Sequence, residues 1–263
     1  MDFQLKNAVA LVAGSSRGLG LAIARQLAFE GAKVVINGRD KVILHQSADS
    51  LKKETGSDVL ALPGDVADPS TPGELISKTI SKYSQLDLLV TNAGGPPAGT
   101  FASFDDEAWR NAIELCFLSH VRLIREALPY LEKSTRASVL TITSSSVKQP
   151  IDNLILSTST RSATAALTKS LALELGGQGI RFNSILPAWT ETDRVKNLIQ
   201  KRAEAKHTSL EIEMSNLAKN SSLGRLGRPE ELANAAVFLL SPAASFITGV
   251  MLSVDGGFYK AIY

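Results

Sequence analysis

The sequence has a single cysteine, Cys116, and only three histidines among its 263 residues. One cysteine excludes an internal disulfide, and the histidines are too far apart along the chain to form a metal-ligand spacing. Aromatic residues make up 6% of the chain, and no apolar run is longer than a β-strand, so no segment is expected to cross a membrane. The first residues lack the basic and then apolar order of a signal peptide. These absences predict a cytoplasmic protein with no metal site.

A large excess of charge of either sign is also absent. The 28 basic and 26 acidic residues give a formal net charge of +2, and the basic residues are scattered along the chain. This distribution predicts no nucleic acid and no membrane as partner, and it favours a small-molecule ligand. With 44% hydrophobic residues, no linker and no internal repeat, the chain is predicted to fold as one domain over residues 1–263.

The sequence does contain a regular alternation of short apolar runs and segments with helical periodicity. The apolar run 8–13 ends at Gly14, and the segment 18–30 then has leucine and isoleucine at helical spacing. The other predicted strands are 33–36, 59–62, 86–91, 138–143, 181–186 and 251–254, and the other predicted helices are 41–54, 74–81, 108–131, 157–175 and 230–240. Strands that are apolar at nearly every position are typical of parallel sheets covered on both faces. The prediction is an α/β fold, a single-domain Rossmann-type doubly wound parallel sheet with helices on both faces.

The turn between the first strand and the first helix has the composition of a phosphate-binding loop. Its sequence is AGSSRGLG. Glycines there let the chain turn tightly and let a pyrophosphate approach the N–H groups at the helix start, where the helix dipole favours negative charge. The loop residues that we predict to bind a cofactor are Gly14, Ser16, Arg17, Gly18, Leu19 and Gly20. A packing role alone is the alternative explanation of such a turn.

The G-x-x-x-G-x-G spacing of this loop resembles the pattern of the short-chain dehydrogenase/reductase family. Asp65 and Val66 after the third strand resemble the pair that contacts adenine in that family. Asn92-Ala93-Gly94 after the fourth strand resembles its N-A-G motif, which supports the sheet and the cofactor ribose, and 224–257 resembles its C-terminal segment. The likeness is greatest to the 3-oxoacyl-acyl-carrier-protein reductases. It implies a nicotinamide nucleotide, hydride transfer at a carbonyl or hydroxyl group, and a homotetramer or dimer.

The end of the second strand indicates which nicotinamide nucleotide is bound. Members that prefer NAD have an acidic residue there, which hydrogen-bonds the ribose 2′-hydroxyl. In this sequence Gly38 takes that position and Arg39 follows it. A guanidinium can pair with a 2′-phosphate, and Arg17 can add a second positive charge. We therefore expect NADP(H) to be preferred over NAD(H), the alternative being that both arginines are only solvated surface residues.

The resemblance also implies where the catalytic residues lie, and three of the four family positions are changed. The family uses a serine, a tyrosine and a lysine spaced as Y-x-x-x-K, and an asparagine on the preceding long helix. The serine position is Ser144, the tyrosine and lysine positions are Ser157 and Arg161, and the asparagine position is Cys116. No tyrosine occurs in residues 131–258, so a small shift of register does not restore the motif.

These replacements remove the usual proton donor and leave two hypotheses open. A tyrosine, with a pKa of about 10, can be tuned towards neutrality, whereas a serine hydroxyl is a far weaker and shorter acid. Arg161 can hold the ribose and supply positive charge but does not relay protons, and a cysteine thiol forms only weak hydrogen bonds. Either the protein is an NADP(H)-dependent oxidoreductase whose donor is a nonstandard group or a water held by Ser144 and Ser157, or it is a nucleotide-binding sensor or subunit partner without turnover.

The segment after the sixth strand completes the predicted cofactor site. Pro187 and Thr192 match the family's P-G-x-x-x-T motif, with Ala188 in place of the glycine. A polar stretch of helical character at about 190–222 stands where the family has its substrate lid, and an ordinary surface excursion is the alternative. Its apolar side chains favour a lipophilic carbonyl compound as substrate, or contact with a partner subunit.

Overall fold

Helices and strands alternate along the chain as the periodicity predicts. The structure, a computed structural model, describes residues 2–262. The strands are β1 (Val9–Val12), β2 (Lys33–Gly38), β3 (Val59–Pro63), β4 (Leu88–Thr91), β5 (Ser138–Ile142), β6 (Arg181–Pro187) and β7 (Met251–Val254). The helices are α1 (Gly18–Phe29), α2 (Lys41–Thr55), α3 (Thr71–Tyr83), α4 (Asp106–Ile113), α5 (Ser119–Leu131), α6 (Ile155–Leu175), α7 (Asp193–Ala205), α8 (Leu210–Lys219) and α9 (Pro229–Leu240). No helix within residues 2–262 is long and apolar enough to span a membrane.

The strands form one parallel sheet in the order β3-β2-β1-β4-β5-β6-β7. Val12 lies opposite Ile36 of β2 and opposite Val90 of β4, so the carboxyl end of β1 is flanked by those of β2 and β4. The chain moves outwards from β1 in one direction and then from β4 in the other. Ligands of doubly wound sheets bind at such a reversal, beyond the carboxyl ends of the strands. The predicted Rossmann-type fold is confirmed.

Each face of the sheet is covered by helices, which explains why the strands are apolar at almost every position. Ala10 and Val12 of β1 face the core formed with α1, α2 and α9, whereas Val9 and Leu11 face the core formed with α3, α5 and α6. All four side chains are fully buried. Successive side chains of a strand point to opposite faces, so both alternating sets need to be apolar when both faces are covered.

The helix predicted at 108–131 is interrupted by one wider turn. Residues Glu114–Leu118 form a π-helical turn between α4 and α5, and the N–H of Ser119 donates to the carbonyl of Glu114. Such turns often occur at functional sites, and this one contains Cys116. The carbonyl of Cys116 accepts a hydrogen bond of 2.6 Å from the hydroxyl of Thr164 on α6. This hydrogen bond therefore links the turn that contains Cys116 to α6, the helix that carries Ser157 and Arg161.

The stretch at about 190–222 contains α7 and α8, which pack around their own small cluster. That cluster contains Ile199, Leu217 and Leu226. Glu213 of α8 is 2% exposed and forms ion pairs with Arg202 at 3.0 Å and Lys206 at 3.3 Å on the α7 side. A buried carboxylate needs such partners, so these pairs fix α8 against the end of α7. The role of the stretch as a substrate lid stays a prediction.

Candidate functional site

All of the predicted cofactor and catalytic residues lie at or near the carboxyl end of the sheet. The glycine loop follows β1, Gly38 ends β2, Asp65 follows β3, and the Asn92 segment follows β4. Ser144 follows β5, and Pro187 ends β6. Because the strands are parallel, these positions share one edge of the sheet, on both sides of the reversal between β1 and β4.

Two glycines of the first loop are required by the backbone itself. Gly14 has a φ of +55°, in the left-handed region that residues with a Cβ rarely adopt. A Cβ at Gly20 would lie 2.5 Å from the carbonyl oxygen of Gly14 and 2.9 Å from the Cα of Ser15. The start of α1 can therefore approach the end of β1 this closely only without that methyl group. The backbone conformation at these two glycines thus gives the loop the tight turn predicted for phosphate binding.

Two asparagine side chains fix the position of the glycine loop through hydrogen bonds. Asn37 of β2 is buried, its Oδ1 accepts from the N–H of Gly14 at 3.2 Å, and its Nδ2 donates to the carbonyls of Leu62 and Gly64 at 3.1 Å. Asn92 donates from Nδ2 to the carbonyl of Gly14 at 2.9 Å. The sequence argument missed Asn37, although a buried amide at the end of an apolar strand is the signal that could have identified it. Asn92 therefore helps to position the loop, and the role of its motif beside the cofactor ribose stays a prediction.

The start of α1 is the part of the predicted site where the cofactor's pyrophosphate would bind. The first turn of α1 has no acidic residue, and the side chain of Arg17 does not cap it. Thr192 approaches Gly18 closely, since a Cβ built at Gly18 would lie 3.7 Å from the methyl carbon of Thr192. Thr192 in turn begins α7, with its Oγ1 accepting from the N–H of Val195 at 3.3 Å. Free N–H groups at a helix start between a glycine loop and a hydroxyl fit a pyrophosphate.

The end of β2 has no room for an acidic side chain unless a neighbouring residue moves. A Cβ at Gly38 would lie 2.7 Å from the Oγ of Ser16, so a longer side chain would require Ser16 to move. Arg39 is exposed, and its Nη1 lies 3.6 Å from Asp65 Oδ2. Val66, beside Asp65, is buried. An exposed ion pair of this kind is worth at most about 1 kcal/mol, so Arg39 can exchange Asp65 for a phosphate at little cost.

The structure brings Arg161, Cys116 and Gly94 together at the predicted catalytic end. Arg161 is 7% exposed. Its Nη1 donates to the carbonyls of Ile142 at 3.0 Å and Thr143 at 3.2 Å, and its Nη2 donates to the carbonyl of Gly94 at 3.2 Å. The Sγ of Cys116 lies 3.7 Å from the same Gly94 oxygen. Cys116 is fully buried, so it supports this loop from inside the protein.

Ser144 and Ser157 supply the hydroxyl groups of the catalytic end. Ser144 directly follows Thr143, and its Oγ accepts from the N–H of Ser146 at 3.1 Å, which leaves its own O–H free to donate. Ser157 lies one turn before Arg161 on α6, and residues four apart share a helix face. Ser157 and Arg161 therefore point to the same side of the helix. Neither serine is a group that releases a proton near neutral pH.

Two further residues at this end were missed by the sequence argument. His120, on α5 one turn after Cys116, is buried. Its Nδ1 lies 2.7 Å from the Oγ1 of Thr91, whereas its Nε2 has no partner among the described residues. Burial, with repulsion from Arg161 as a smaller cause, lowers the pKa of His120 to about 3. The imidazole is therefore neutral at physiological pH. The signal in the sequence that could have identified His120 is its position four residues after Cys116, which places both on the same face of a helix.

Arg194 is the second missed residue, and it reaches across from the start of α7. Its Nη1 donates to the carbonyl of Gly95 at 3.1 Å, and its Nη2 donates to the carbonyl of Pro96 at 3.4 Å. Arg194 as a whole residue is exposed, although its guanidinium is partly buried against the loop. This burial, and then repulsion from Arg161, lowers the pKa of Arg194, while Cys116 opposes the shift. Among the side chains described above at the catalytic end, two are guanidinium groups and none is a general acid of ordinary strength.

The comparisons with known proteins agree with this geometry. Residues 13–259 match the family model described as enoyl-(acyl carrier protein) reductase. The 7alpha-hydroxysteroid dehydrogenase of Escherichia coli K12 is 31% identical over 256 residues, 97% of this chain and 96% of that protein.

Two solved structures are also similar over nearly the whole chain. The L-sorbose reductase of Gluconobacter frateurii, complexed with NADPH and L-sorbose, has a TM-score of 0.95 and 32% identity, covering 100% of both chains. An NADPH-bound short chain oxidoreductase of Pseudomonas aeruginosa PAO1 that contains an atypical catalytic center has a TM-score of 0.88 and 32% identity, covering 97% of both chains. The extent of these matches, together with the fold and the glycine loop, means that the chain belongs to the short-chain dehydrogenase/reductase family.

Proposed function

We propose that the protein is an NADP(H)-dependent oxidoreductase that resembles the 3-oxoacyl-acyl-carrier-protein reductases and interconverts a carbonyl and a hydroxyl group. The observation that supports this proposal most strongly is a complete nucleotide cradle next to a buried cationic catalytic end. The two similar structures that hold NADPH support the choice of cofactor. When bound, NADP(H) supplies or accepts the hydride, and the protein's residues orient the reactants and stabilise charge.

At the adenosine end, charge and space favour NADP(H) over NAD(H). Gly38 provides no carboxylate that would accept from a ribose 2′-hydroxyl and repel a 2′-phosphate. Arg39 and Arg17, both exposed at this end, supply positive charge for that phosphate. The first turn of α1 and the hydroxyl of Thr192 hold the pyrophosphate, and Arg161 supports the nicotinamide ribose.

At the catalytic end, we propose that Ser144 donates a hydrogen bond to the carbonyl oxygen of the substrate. The nearby positive charge of Arg161 stabilises the negative charge that develops on this oxygen during hydride addition. A water molecule held by Ser144 and Ser157 supplies the proton, because Arg161 does not release one. This mechanism predicts slower chemistry than a tyrosine donor gives, since general acid catalysis contributes roughly a hundred- to ten-thousandfold.

A second candidate function is favoured by the loss of the tyrosine itself. A protein that keeps the nucleotide cradle and lacks a strong proton donor can act as a sensor of nicotinamide nucleotide or as a subunit partner without turnover. The two candidates differ in one observable. The oxidoreductase transfers hydride from bound NADPH to a carbonyl compound, and the sensor binds NADPH without transferring it.

We also propose a substrate class, an oligomeric state and a cellular location for the protein. A small lipophilic carbonyl compound would fit the apolar side chains of the α7–α8 stretch. A homotetramer or dimer is supported by the apolar groove between α5 and α6, lined by residues that include Val121, Ile124, Leu128, Leu167 and Leu171. A monomer in light scattering at micromolar concentration would contradict this assembly. We place the protein in the cytoplasm.

Isothermal titration of the protein with NADPH and with NADH tests the cofactor assignment. We expect tighter binding of NADPH, because only its 2′-phosphate can pair with Arg39 and Arg17. Equal affinities, or tighter binding of NADH, would contradict the proposal.

A further inference from the structure

Two arginines meet the same loop at the catalytic end, and neither has an anionic partner. Arg161 donates to Gly94, and Arg194 donates to Gly95 and Pro96. Within residues 2–262, no carboxylate forms an ion pair with either guanidinium. Backbone carbonyls satisfy their N–H groups, but they do not neutralise two positive charges.

Arg161 lacks the counter-ion that a charge with so little exposure usually has. Arg161 is almost fully buried, and a buried charge is costly unless it is paired. Burial of the guanidinium against the loop, and then repulsion from Arg161, lower the pKa of Arg194. By contrast, the two other buried charged side chains among residues 2–262, the carboxylates of Glu213 and Asp87, both have cations beside them.

The loop is shaped to receive the guanidinium of Arg194. A Cβ at Gly95 would collide with that guanidinium, so the contact depends on glycine at this position. Arg194 is held there only by two carbonyl contacts of 3.1 Å and 3.4 Å. A carboxylate can take both N–H groups in a bidentate pair, which is shorter and stronger than hydrogen bonds to neutral carbonyls. Arg194 can therefore exchange the loop for an anion.

Its position indicates that this anion belongs to the substrate. The cradle for the cofactor's pyrophosphate lies at Gly18 and Thr192, and charge for a 2′-phosphate lies at Arg39, beyond the end of β2. Arg194 instead contacts Gly95 and Pro96, next to the Gly94 carbonyl that Arg161 and Cys116 approach. That location is the end at which the carbonyl group of a substrate would meet the nicotinamide.

We propose that Arg194, backed by the charge of Arg161, binds a carboxylate of the substrate, so that the substrate class is an oxo acid. This inference rests on the proposed function. In the reaction, bound NADPH would give up its hydride, which forms a C–H bond at the oxo carbon while the electron pair of the C=O bond moves to oxygen. A water molecule would protonate that oxygen, and the hydroxide left behind would take a proton from the solvent. NADPH is oxidised to NADP⁺, the oxo acid is reduced to a hydroxy acid, and the carboxylate is unchanged.

The test compares oxo acids with neutral analogues of the same shape. Pyruvate, acetoacetate and levulinate, which place the carboxylate at increasing distance from the oxo group, are titrated into the NADP⁺ complex against their methyl esters. The same pairs are assayed for NADPH oxidation. The variants are Arg194→Gln, Arg194→Lys and, as the matched control, Lys201→Gln, which removes one charge from the same helix two turns away.

We expect at least one acid to bind more tightly than its ester by roughly ten- to a hundredfold, the range for hydrogen bonds to charged groups. Arg194→Gln should abolish this ratio, Arg194→Lys should retain part of it because the charge remains without the bidentate fork, and Lys201→Gln should keep it. Equal binding of acids and esters, or a ratio that survives in Arg194→Gln, would overturn the inference. A loss of NADPH affinity in Arg194→Gln equal to the loss of acid affinity would assign the anion to the cofactor and overturn it as well.

The outcomes separate this inference from the function on which it rests. Turnover of carbonyl compounds without preference for acids would refute the carboxylate site alone. Selective binding of an acid without any hydride transfer would contradict the proposed oxidoreductase and leave the anion site in place.

Discussion

Replacing Arg39 by glutamine should weaken NADPH binding far more than NADH binding. A hydrogen-bonded pair between a guanidinium and a phosphate contributes about 1.5–3 kcal/mol. From this we subtract the pair that Arg39 already forms with Asp65 at 3.6 Å, which at this exposure is worth about 0–1 kcal/mol. The net loss is about 0.5–3 kcal/mol, or roughly a two- to 150-fold increase in the Kd for NADPH.

The assay is isothermal titration of both nucleotides into the wild-type protein and the variant. Arg110→Gln is a matched control, because Arg110 is equally exposed and also lies 3.6 Å from an aspartate, Asp106, but on α4. It should leave both affinities unchanged. Equal weakening of NADPH and NADH by Arg39→Gln, or no weakening of either, would refute the assignment of Arg39 to the 2′-phosphate.

Three further predictions concern the loop, the catalytic end and the buried histidine. Gly20→Ala should lower the free energy of unfolding by about 1–3 kcal/mol in urea and also weaken NADPH binding, because its methyl group would collide with the Gly14 carbonyl. Ser157→Tyr combined with Arg161→Lys should raise carbonyl reduction by roughly a hundredfold or more, with much smaller gains from either change alone; a slower double variant that still binds NADPH would mean that the native pair works by another mechanism. His120 has a folded-state pKa lowered from 6.5 to about 3, so its stabilising contribution is complete above pH of about 6.5 and is lost as the pH falls towards 3. His120→Gln should flatten the fall of stability in that window, measured by urea unfolding, whereas a variant of the exposed His207 should not.

The order of strands and helices could be predicted because each strand is buried on both faces. β1 is apolar at every position. Such a run, followed by a segment with the apolar periodicity of a helix, is typical of a parallel sheet covered by helices. The residues at which helices begin were harder to predict. α3 begins at Thr71 rather than 74, because Pro72, which reads as a turn residue, stands at the first helical positions, where proline is favoured. The π-helical turn at Glu114–Leu118 has no glycine or proline to mark it.

The candidate site was predictable where backbone geometry sets the residue type. Gly14 and Gly20 are required by a left-handed φ and by a close contact, and such requirements leave a visible spacing in the sequence. Contacts between distant side chains leave no such spacing. Arg194 meets Gly95 across about a hundred positions of sequence, and the sequence gives no sign that the two meet. The pairing of Arg39 with Asp65 likewise depends on the alignment of β2 with β3.

We propose that this protein transfers hydride in spite of its changed catalytic residues, and a single-turnover measurement tests this directly. NADPH deuterated at the transferred position is mixed with excess protein and a panel of carbonyl compounds that includes cyclohexanone and acetoacetate, and the products of a single turnover are analysed by mass spectrometry. We predict deuterium on the carbon of the new hydroxyl group of at least one product. Bound NADPH that retains all of its deuterium with every compound would contradict the claim and favour a nucleotide sensor.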